Sequence, residues 1–209
     1  MPDLIPDSLP PHAKRVFTSD VTRTEVWQWE QERFDGSVKT YEKIRRPDTV
    51  EVIATVGDKI IVEEQEQPGW GHTVLSVPGG QVDGAYEETS TSDRLLAEVQ
   101  REFLEETGYA SEDWEHWFSV TPSGRHIYSV HWYLARNCRY VQLPNPGPGE
   151  KISVRLVPFD EFLLLSERPD FRGVDLVNRL LHMRLHPEER EAFCCRLFKN
   201  RTVHTPVLY

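Results

Sequence analysis

The chain has 209 residues, enough to bury a core in one domain with an appendage or in two small domains. With 34 acidic and 24 basic side chains, its formal net charge is −10, which argues against a broad nucleic-acid surface or an anionic membrane partner. Residues 1–11 lack a signal-peptide pattern and no segment has 18 uninterrupted apolar residues, so we expect a cytoplasmic protein without a membrane span.

The first 46 residues predict antiparallel β-structure. Polar and apolar residues alternate through 24–30 and 38–44, and Asp35 with Gly36 between them is typical of a hairpin turn. We therefore predict an N-terminal antiparallel β extension over residues 1–46.

Residues 47–166 predict a second region, in which strands surround one central helix. A tight turn at 57–58 separates two strands, and a further apolar run ends at Val77. The helix is expected from about Ser92 to Thr107, because apolar residues recur there at helical spacing. The residues of this apolar stripe are Leu95, Leu96, Val99 and Phe103. The strands predicted before the helix are 49–56, 59–64 and 73–77.

The segments after the helix continue the sheet and then end in helices. Prolines and glycines in 144–149 exclude regular structure, so this segment is a loop. Pro187 suits the first turn of a last helix. The order of elements predicts an α+β layered sandwich, with C-terminal helices and a tail in 167–209. The predicted elements are strands at 114–120, 126–135, 139–143 and 152–157 and helices at 160–165, 174–185 and 187–198.

The end of the central helix carries three crowded carboxylates. Glu102 faces both Glu105 and Glu106, and like-charged pairs at this spacing cost about 0.2–0.5 kcal/mol each. Gly108 is placed just past the helix C-terminus, where the helix dipole also disfavours acidic side chains. Arg101 cannot neutralise all three. We therefore expect a hard divalent cation, Mg²⁺ or Mn²⁺, at this position, the alternative being a solvated acidic helix face.

Two segments together resemble the Nudix hydrolase signature, which places a glycine-rich loop before an acidic helix. Residues 78–84 form the loop, and residues 101–109 match every fixed position of Arg-Glu-aliphatic-x-Glu-Glu-x-Gly-aliphatic. The first half departs from the pattern. Between Gly80 and Arg101 there are 20 residues where the signature has 13. Asp93 stands where the family has its first Glu.

The departure predicts an enlarged loop, with the seven extra residues placed within 85–92. The resemblance implies a Nudix αβα sandwich with a mixed central sheet. The N-terminal β extension is similar to that of ADP-ribose pyrophosphatase relatives, in which it crosses to a partner subunit. A homodimer is therefore expected by similarity.

The resemblance also assigns the metal site. The ligands it implies for Mg²⁺, with Mn²⁺ as an alternative, are Glu102, Glu105, Glu106 and the carbonyl of Gly79. Arg101 is expected to orient the glutamates. The activity implied is hydrolysis of a nucleoside diphosphate joined to another group, such as ADP-ribose or a nucleotide sugar.

A general base is expected on a loop that leads into a late strand. Glu150 precedes the predicted strand 152–157 and occupies the matching context. Glu98, Glu87 and Glu88 are alternatives, and Glu150 is otherwise an ordinary loop residue.

Substrate contacts are expected from the β extension and from two loops. Trp27 and Trp29 could hold the base, with core packing as the alternative, and Arg46, beside Arg45, could touch phosphate. Family members usually carry an arginine at the position of Gln67, and Arg125 is a possible replacement cation. Gly80 is a further expected substrate contact.

The sequence thus favours a Mg²⁺-dependent pyrophosphohydrolase. A non-catalytic nucleotide sensor on the same fold would fit the enlarged loop and Gln67, but it would not need all three glutamates. An inert acidic oligomerisation domain explains neither the glycines nor the spacing of the glutamates.

Overall fold

The computed structural model describes residues 5–83 and 91–199, within which the chain forms thirteen strands and four α-helices. The strands are β1 (Lys14–Ser19), β2 (Thr24–Glu32), β3 (Val38–Arg45), β4 (Thr49–Val56), β5 (Lys59–Glu66), β6 (Val74–Ser76), β7 (Gly79–Gln81), β8 (Tyr109–Ala110), β9 (Asp113–Val120), β10 (His126–Ile127), β11 (Val130–Arg136), β12 (Arg139–Tyr140) and β13 (Lys151–Pro158). The helices are α1 (Ser92–Thr107), α2 (Phe159–Leu164), α3 (Val174–Leu185) and α4 (Pro187–Leu197).

A mixed central sheet lies between two helical layers. Its strand order is β13-β5-β4-β11-β9, with β11 parallel to β4 and the other neighbours antiparallel. Alternate residues of each strand face opposite layers, so β4 sends Val52 toward α1 and Ile53 toward α2, α3 and α4. Each face therefore has its own apolar core, and the predicted α+β sandwich is observed.

The central sheet opens between β4 and β5. These strands pair with each other only beside their connecting turn, at Thr55 with Ile60 and at Val56 with Lys59. Farther along, β4 pairs with β7 and β5 pairs with β6. The two strands thus separate, and the short strands β6 and β7 line the resulting gap.

The N-terminal strands form a second sheet, in the order β1-β2-β3-β10. The predicted hairpin is confirmed, because β2 and β3 pair from Glu25–Arg45 to Glu32–Val38. The predicted strand 126–135 is wrong as a single element. Its first part is β10, which pairs with β3, and its second part is β11 in the central sheet.

The break in that strand occurs where the chain passes from one sheet to the other. Ser129 donates its N–H to Asp48 Oδ1 at 2.7 Å, and the Thr49 N–H bonds the Ser129 carbonyl at 2.9 Å. The Arg46 N–H bonds the Ile127 carbonyl at 3.2 Å. The two connections, 46–48 and 128–129, therefore cross side by side. The division of the chain at residue 46 stays a prediction.

Other boundaries agree closely with the sequence. The predicted range of α1 is confirmed, and so is that of α3. The strand predicted over 139–143 covers only Arg139 and Tyr140. Among the described helices, none combines the length and apolar character needed to cross a membrane.

Candidate active site

Helix α1 positions the acidic cluster by anchoring its opposite face. Its N-cap is Thr91, and Val99 and Phe103 are fully buried against the sheet. The helix ends at Gly108, whose φ of +73° is left-handed and therefore favours glycine. A Cβ at this position would lie 2.2 Å from the Gln142 carbonyl oxygen. Both ends of α1 are thus fixed, and its last turn is held beside β7.

Glu106 is a buried carboxylate that touches the glycine loop. Only 4% of the residue is exposed, and its Oε2 accepts the Gly79 N–H at 2.8 Å. Burial raises its pKa well above the usual value, and the nearby Glu63 raises this pKa further. The loop and the helix end are therefore joined through a group that is costly to ionise without a cation.

Arg101 binds several carboxylates at once. Its guanidinium donates to Glu102 at 2.6 Å, to Glu105 at 2.8 Å and to Asp83 at 3.0 Å, and it also contacts Glu98. Burial raises the pKa of Glu102 to about 7, although the positive charge of Arg101 lowers it in part. Arg101 thus holds two of the predicted metal ligands in fixed orientations.

A cavity of about 890 Å³ lies in the gap between β4 and β5. Six of the residues predicted from the sequence line this cavity: Arg46, Gly79, Gly80, Glu102, Glu106 and Glu150. Glu105 does not line it, and its side chain, 42% exposed, is directed to Arg101. Most of the charged side chains predicted for the site therefore line this cavity.

The sequence analysis missed two glutamates of this region, Glu51, which lines the cavity, and Glu63, which is buried near Glu106. Glu51 on β4 and Glu63 on β5 both have a pKa raised to about 8, chiefly by burial. Gln65 donates to Glu63 Oε2 at 2.8 Å, whereas Glu63 Oε1 is buried without a hydrogen-bond partner in the described residues. For Glu51 the signal was a glutamate inside the mainly apolar strand β4, since buried glutamates are rare without a partner. Strand β5 continues with Glu64, Gln65 and Glu66, so Glu63 gave no such signal.

Glu150 is exposed and lines the cavity. Its Oε1 accepts a hydrogen bond from Gln67 Nε2 at 3.2 Å, and its Oε2 accepts the Gly147 N–H at 3.2 Å. Its negative charge contributes to the raised pKa of Glu63, after the larger effect of burial. Glu98, a rival candidate for the base, instead accepts the Asp83 N–H at 3.1 Å and contacts Arg101. Glu87 and Glu88 lie outside the described residues, as does most of the predicted insertion.

Arg46 lies between the acidic cavity and a neighbouring cavity of about 660 Å³. Its guanidinium is 3.5 Å from the centroid of the Tyr128 ring and donates to Thr49 Oγ1 at 2.9 Å. Arg46 and Tyr128 line both cavities. A cation is therefore available at the boundary between the two spaces.

Three predicted substrate contacts lie outside the acidic cavity. Trp27 is 1% exposed and donates its indole N–H to Glu25 Oε2 at 2.9 Å, so core packing, the alternative, describes it better. Trp29 stacks on Tyr41, with 6.2 Å between ring centroids. Arg125 bonds the Ile44 N–H through its carbonyl oxygen, and its side chain lines neither of the two cavities.

The fold has a counterpart among solved structures. A structure titled "Crystal structure of ADP compounds hydrolase" matches with a TM-score of 0.67 and 20% sequence identity, covering 86% of this chain and 94% of that chain. The predicted Nudix fold is confirmed. No protein-family model and no curated protein matches this sequence. At this identity the likeness establishes the fold alone.

The acidic cavity of this Nudix fold suits a hard cation in its chemistry. The carboxylates that line it offer oxygen atoms, which Mg²⁺ prefers. Glu63 does not line the cavity, but its buried Oε1 has no hydrogen-bond partner among the described residues. Among the described residues, no three Asp, Glu, His or Cys side chains are arranged so that they could hold a metal ion. Glu102 and Glu105 are instead bonded to Arg101. The donor types fit the group, and binding would require these side chains to reorient.

For the hydrolysis proposed below, Gly80→Ala is expected to lower kcat by about 100-fold, with little loss of stability. The added Cβ would lie 2.5 Å from Glu102 Cδ, so this carboxylate must move, and misplacement of about 1 Å can cost that much. Steady-state kinetics and thermal unfolding measure the two effects.

Gly36→Ala is the matched control for Gly80→Ala. Gly36 has a φ of +80° in the β2–β3 turn, where alanine is strained, but it does not line the cavity. This control should lower the melting temperature and keep the wild-type kcat. Wild-type kcat in Gly80→Ala would show that the position of Glu102 is unimportant.

Proposed function

We propose that this protein is a Mg²⁺-dependent hydrolase of nucleoside diphosphates joined to another group. ADP-ribose or a related nucleotide sugar is the substrate class, and the products are a nucleoside monophosphate and a sugar phosphate. The observation that carries this proposal is the contact of buried Glu106 with Gly79, beside Glu102 and Gly80 in one cavity. The fold shared with an ADP compounds hydrolase supports the same class.

The residues proposed to hold Mg²⁺ or Mn²⁺ are Glu102, Glu105, Glu106 and the Gly79 carbonyl. When bound, such an ion neutralises neighbouring phosphate oxygens and lowers the pKa of a bound water. Arg101 keeps Glu102 and Glu105 oriented through its hydrogen bonds.

Glu150 is proposed as the general base that takes a proton from the attacking water. It lies on a loop at the cavity rim, and Gln67 and the Gly147 N–H hold one oxygen each. A carboxylate held in this way can face a water molecule between the two walls of the cavity. Gln67 would thus position the base rather than contact phosphate.

Glu150→Gln is expected to reduce kcat by at least about 100-fold, since general-base catalysis typically contributes that much. The melting temperature should stay within about 2 °C of the wild type, because the side chain is exposed and Gln keeps an acceptor oxygen. Stopped assays of phosphomonoester release give the rate.

The control for Glu150→Gln is Glu161→Gln, an exposed glutamate that does not line the cavity. If Glu150→Gln turns over like the wild type, the role belongs elsewhere. Alanine variants of Glu87, Glu88 and Glu98 would then identify the base.

A nucleotide sensor is the second candidate, favoured by Gln67 and by the second cavity beside the acidic one. A substrate panel separates the two functions. Purified protein is incubated with Mg²⁺ and ADP-ribose, NADH, nucleotide sugars or dinucleoside polyphosphates, and phosphomonoester release is measured. Turnover of any member supports the hydrolase, and binding without turnover of any member would support the sensor.

A homodimer is part of the proposal. The N-terminal sheet leaves apolar side chains exposed on β1 and β3, namely Val16, Phe17, Val38 and Tyr41. Apolar side chains left exposed on these strands offer surface to a second copy of the chain. Light scattering of the purified protein measures the mass, and a monomer at micromolar concentration would contradict this assignment.

A further inference from the structure

Gln67 lines the acidic cavity without carrying a positive charge. The family resemblance places a phosphate-binding arginine at this position, but here the residue is Gln67 and it bonds Glu150. A diphosphate bound near Glu102 and Glu106 would face mainly negative side chains. A further arginine on this side, in addition to Arg46, would help to compensate the substrate charge.

Arg172 is brought to this wall by the chain segment before α3. The Leu75 N–H bonds the Asp170 carbonyl at 2.8 Å, and the Arg172 N–H bonds the Leu75 carbonyl at 2.8 Å. Leu75 and Phe171 thereby form a parallel bridge on the edge of β6. The backbone of Arg172 is therefore fixed beside the strand that leads to Gly79.

The side chain of Arg172 is directed by an aromatic ring. Its guanidinium lies 4.8 Å from the ring centroid of Trp70, on the loop between β5 and β6. Arg172 lines the acidic cavity and also a cleft of about 250 Å³ formed with Trp70, His72 and Val74. It therefore stands where the two spaces meet.

Arg172 is close to the acidic groups of the cavity but forms no salt bridge with them within the described residues. Burial raises the pKa of Glu51, and the charge of Arg172 is the strongest influence that lowers it. Within the described residues, however, no carboxylate forms a salt bridge with Arg172 within 4.0 Å, although Asp175 lines the same wall. An exposed guanidinium with a fixed backbone and no carboxylate partner there is suited to an anionic ligand.

We propose that Arg172 binds a phosphate group of the substrate, in place of the arginine that Gln67 replaces. The group attached to that phosphate enters the cleft of Trp70 and His72. This assignment rests on the proposed function, because it takes the ligand to be a diphosphate. It makes Arg172 a substrate-binding residue and Trp70 a residue that positions it.

Arg172→Gln is expected to raise KM for the best panel substrate by 10- to 100-fold, with kcat within about threefold of the wild type. Loss of a charged hydrogen bond to phosphate weakens binding by about this factor. Arg172→Lys should recover part of the loss, because lysine keeps the charge without the bidentate geometry. Trp70→Ala should raise KM by a smaller factor, because it frees the guanidinium.

Arg168→Gln is the matched control. Arg168 is exposed, pairs with Asp170 and does not line the cavity, so its loss should leave KM unchanged. Equal KM values for Arg172→Gln and the wild type would overturn the assignment. A fall in kcat with unchanged KM would also overturn it, because it would place Arg172 outside ground-state binding.

A binding measurement separates this proposal from the proposed function. Calorimetric titration of inorganic pyrophosphate in the presence of Mg²⁺ requires no turnover. At least tenfold weaker binding by Arg172→Gln supports the assignment, even if no panel member is hydrolysed and the hydrolase proposal fails. Equal binding by the two proteins, or no binding by the wild type, would overturn it.

Discussion

Glu106→Gln is expected to lower Mg²⁺-dependent kcat by about 1,000-fold while the folded protein becomes slightly more stable without metal. Charge stabilisation by a bound cation is worth several kcal/mol, and each 1.36 kcal/mol is tenfold in rate. In the wild type the Gly79 N–H donates to Glu106 Oε2 at 2.8 Å. Glutamine has the size of glutamate and can still accept this hydrogen bond, but it cannot supply the negative charge.

The stability effect of Glu106→Gln has the opposite sign because the wild-type carboxylate is buried. Burial raises its pKa well above the usual value, so ionisation at pH 7.5 opposes folding. Removing that cost should raise the melting temperature by about 2–4 °C in metal-free buffer, as about 1 kcal/mol does in a chain of this size.

Glu112→Gln is the control, since this exposed glutamate lies in the turn before β9. It should change neither rate nor melting temperature. Retained activity of Glu106→Gln at saturating Mg²⁺ would remove the metal assignment. A large fall in its melting temperature would instead assign Glu106 a structural role.

In metal-free buffer the protein should lose stability between pH 5.5 and pH 8.5, and Mg²⁺ should restore it only at the higher pH. Burial raises the pKa of Glu51 and Glu63 to about 8 and that of Glu102 to about 7, from 4.5. From about pH 4.5 to 8 the folded chain therefore binds more protons than the unfolded chain. The free energy of unfolding falls with pH across this interval and is level above it.

The expected fall in melting temperature from pH 5.5 to 8.5 is about 5 °C or more, which corresponds to about 2 kcal/mol. A saturating divalent ion contributes a similar amount, about 2.7 kcal/mol at 100 times its Kd. Because ligands must be deprotonated to bind metal, this gain requires the higher pH. Scanning calorimetry at both pH values, without Mg²⁺ and at Mg²⁺ concentrations raised in about 10-fold steps, measures both effects. An equal gain at the two pH values would locate Mg²⁺ binding outside this cluster.

Local patterns allowed much of the fold to be predicted. The Asp35–Gly36 turn specified the β2–β3 hairpin, and helical periodicity with Gly108 specified the end of α1. These features depend on neighbouring residues, so the sequence contains them directly. The glutamate spacing likewise placed Glu102 and Glu106 together in the cavity.

The features that escaped prediction depend on contacts between distant segments. Alternation in 126–135 could not reveal that β10 and β11 belong to different sheets. Glu51 and Glu63 become neighbours of Glu106 only because β4 and β5 separate. Arg172 reaches the site through its backbone hydrogen bond to Leu75 on β6. No local sequence motif predicts this contact.

The paired connections between the two sheets have a mechanical consequence. Arg46 and Tyr128 belong to the two crossing segments and also stand in the wall shared by both cavities. The N-terminal sheet therefore cannot tilt without carrying this wall along. We therefore expect a partner bound to the N-terminal sheet to change the width of the passage between the cavities, which would link the proposed assembly to entry into the acidic cavity.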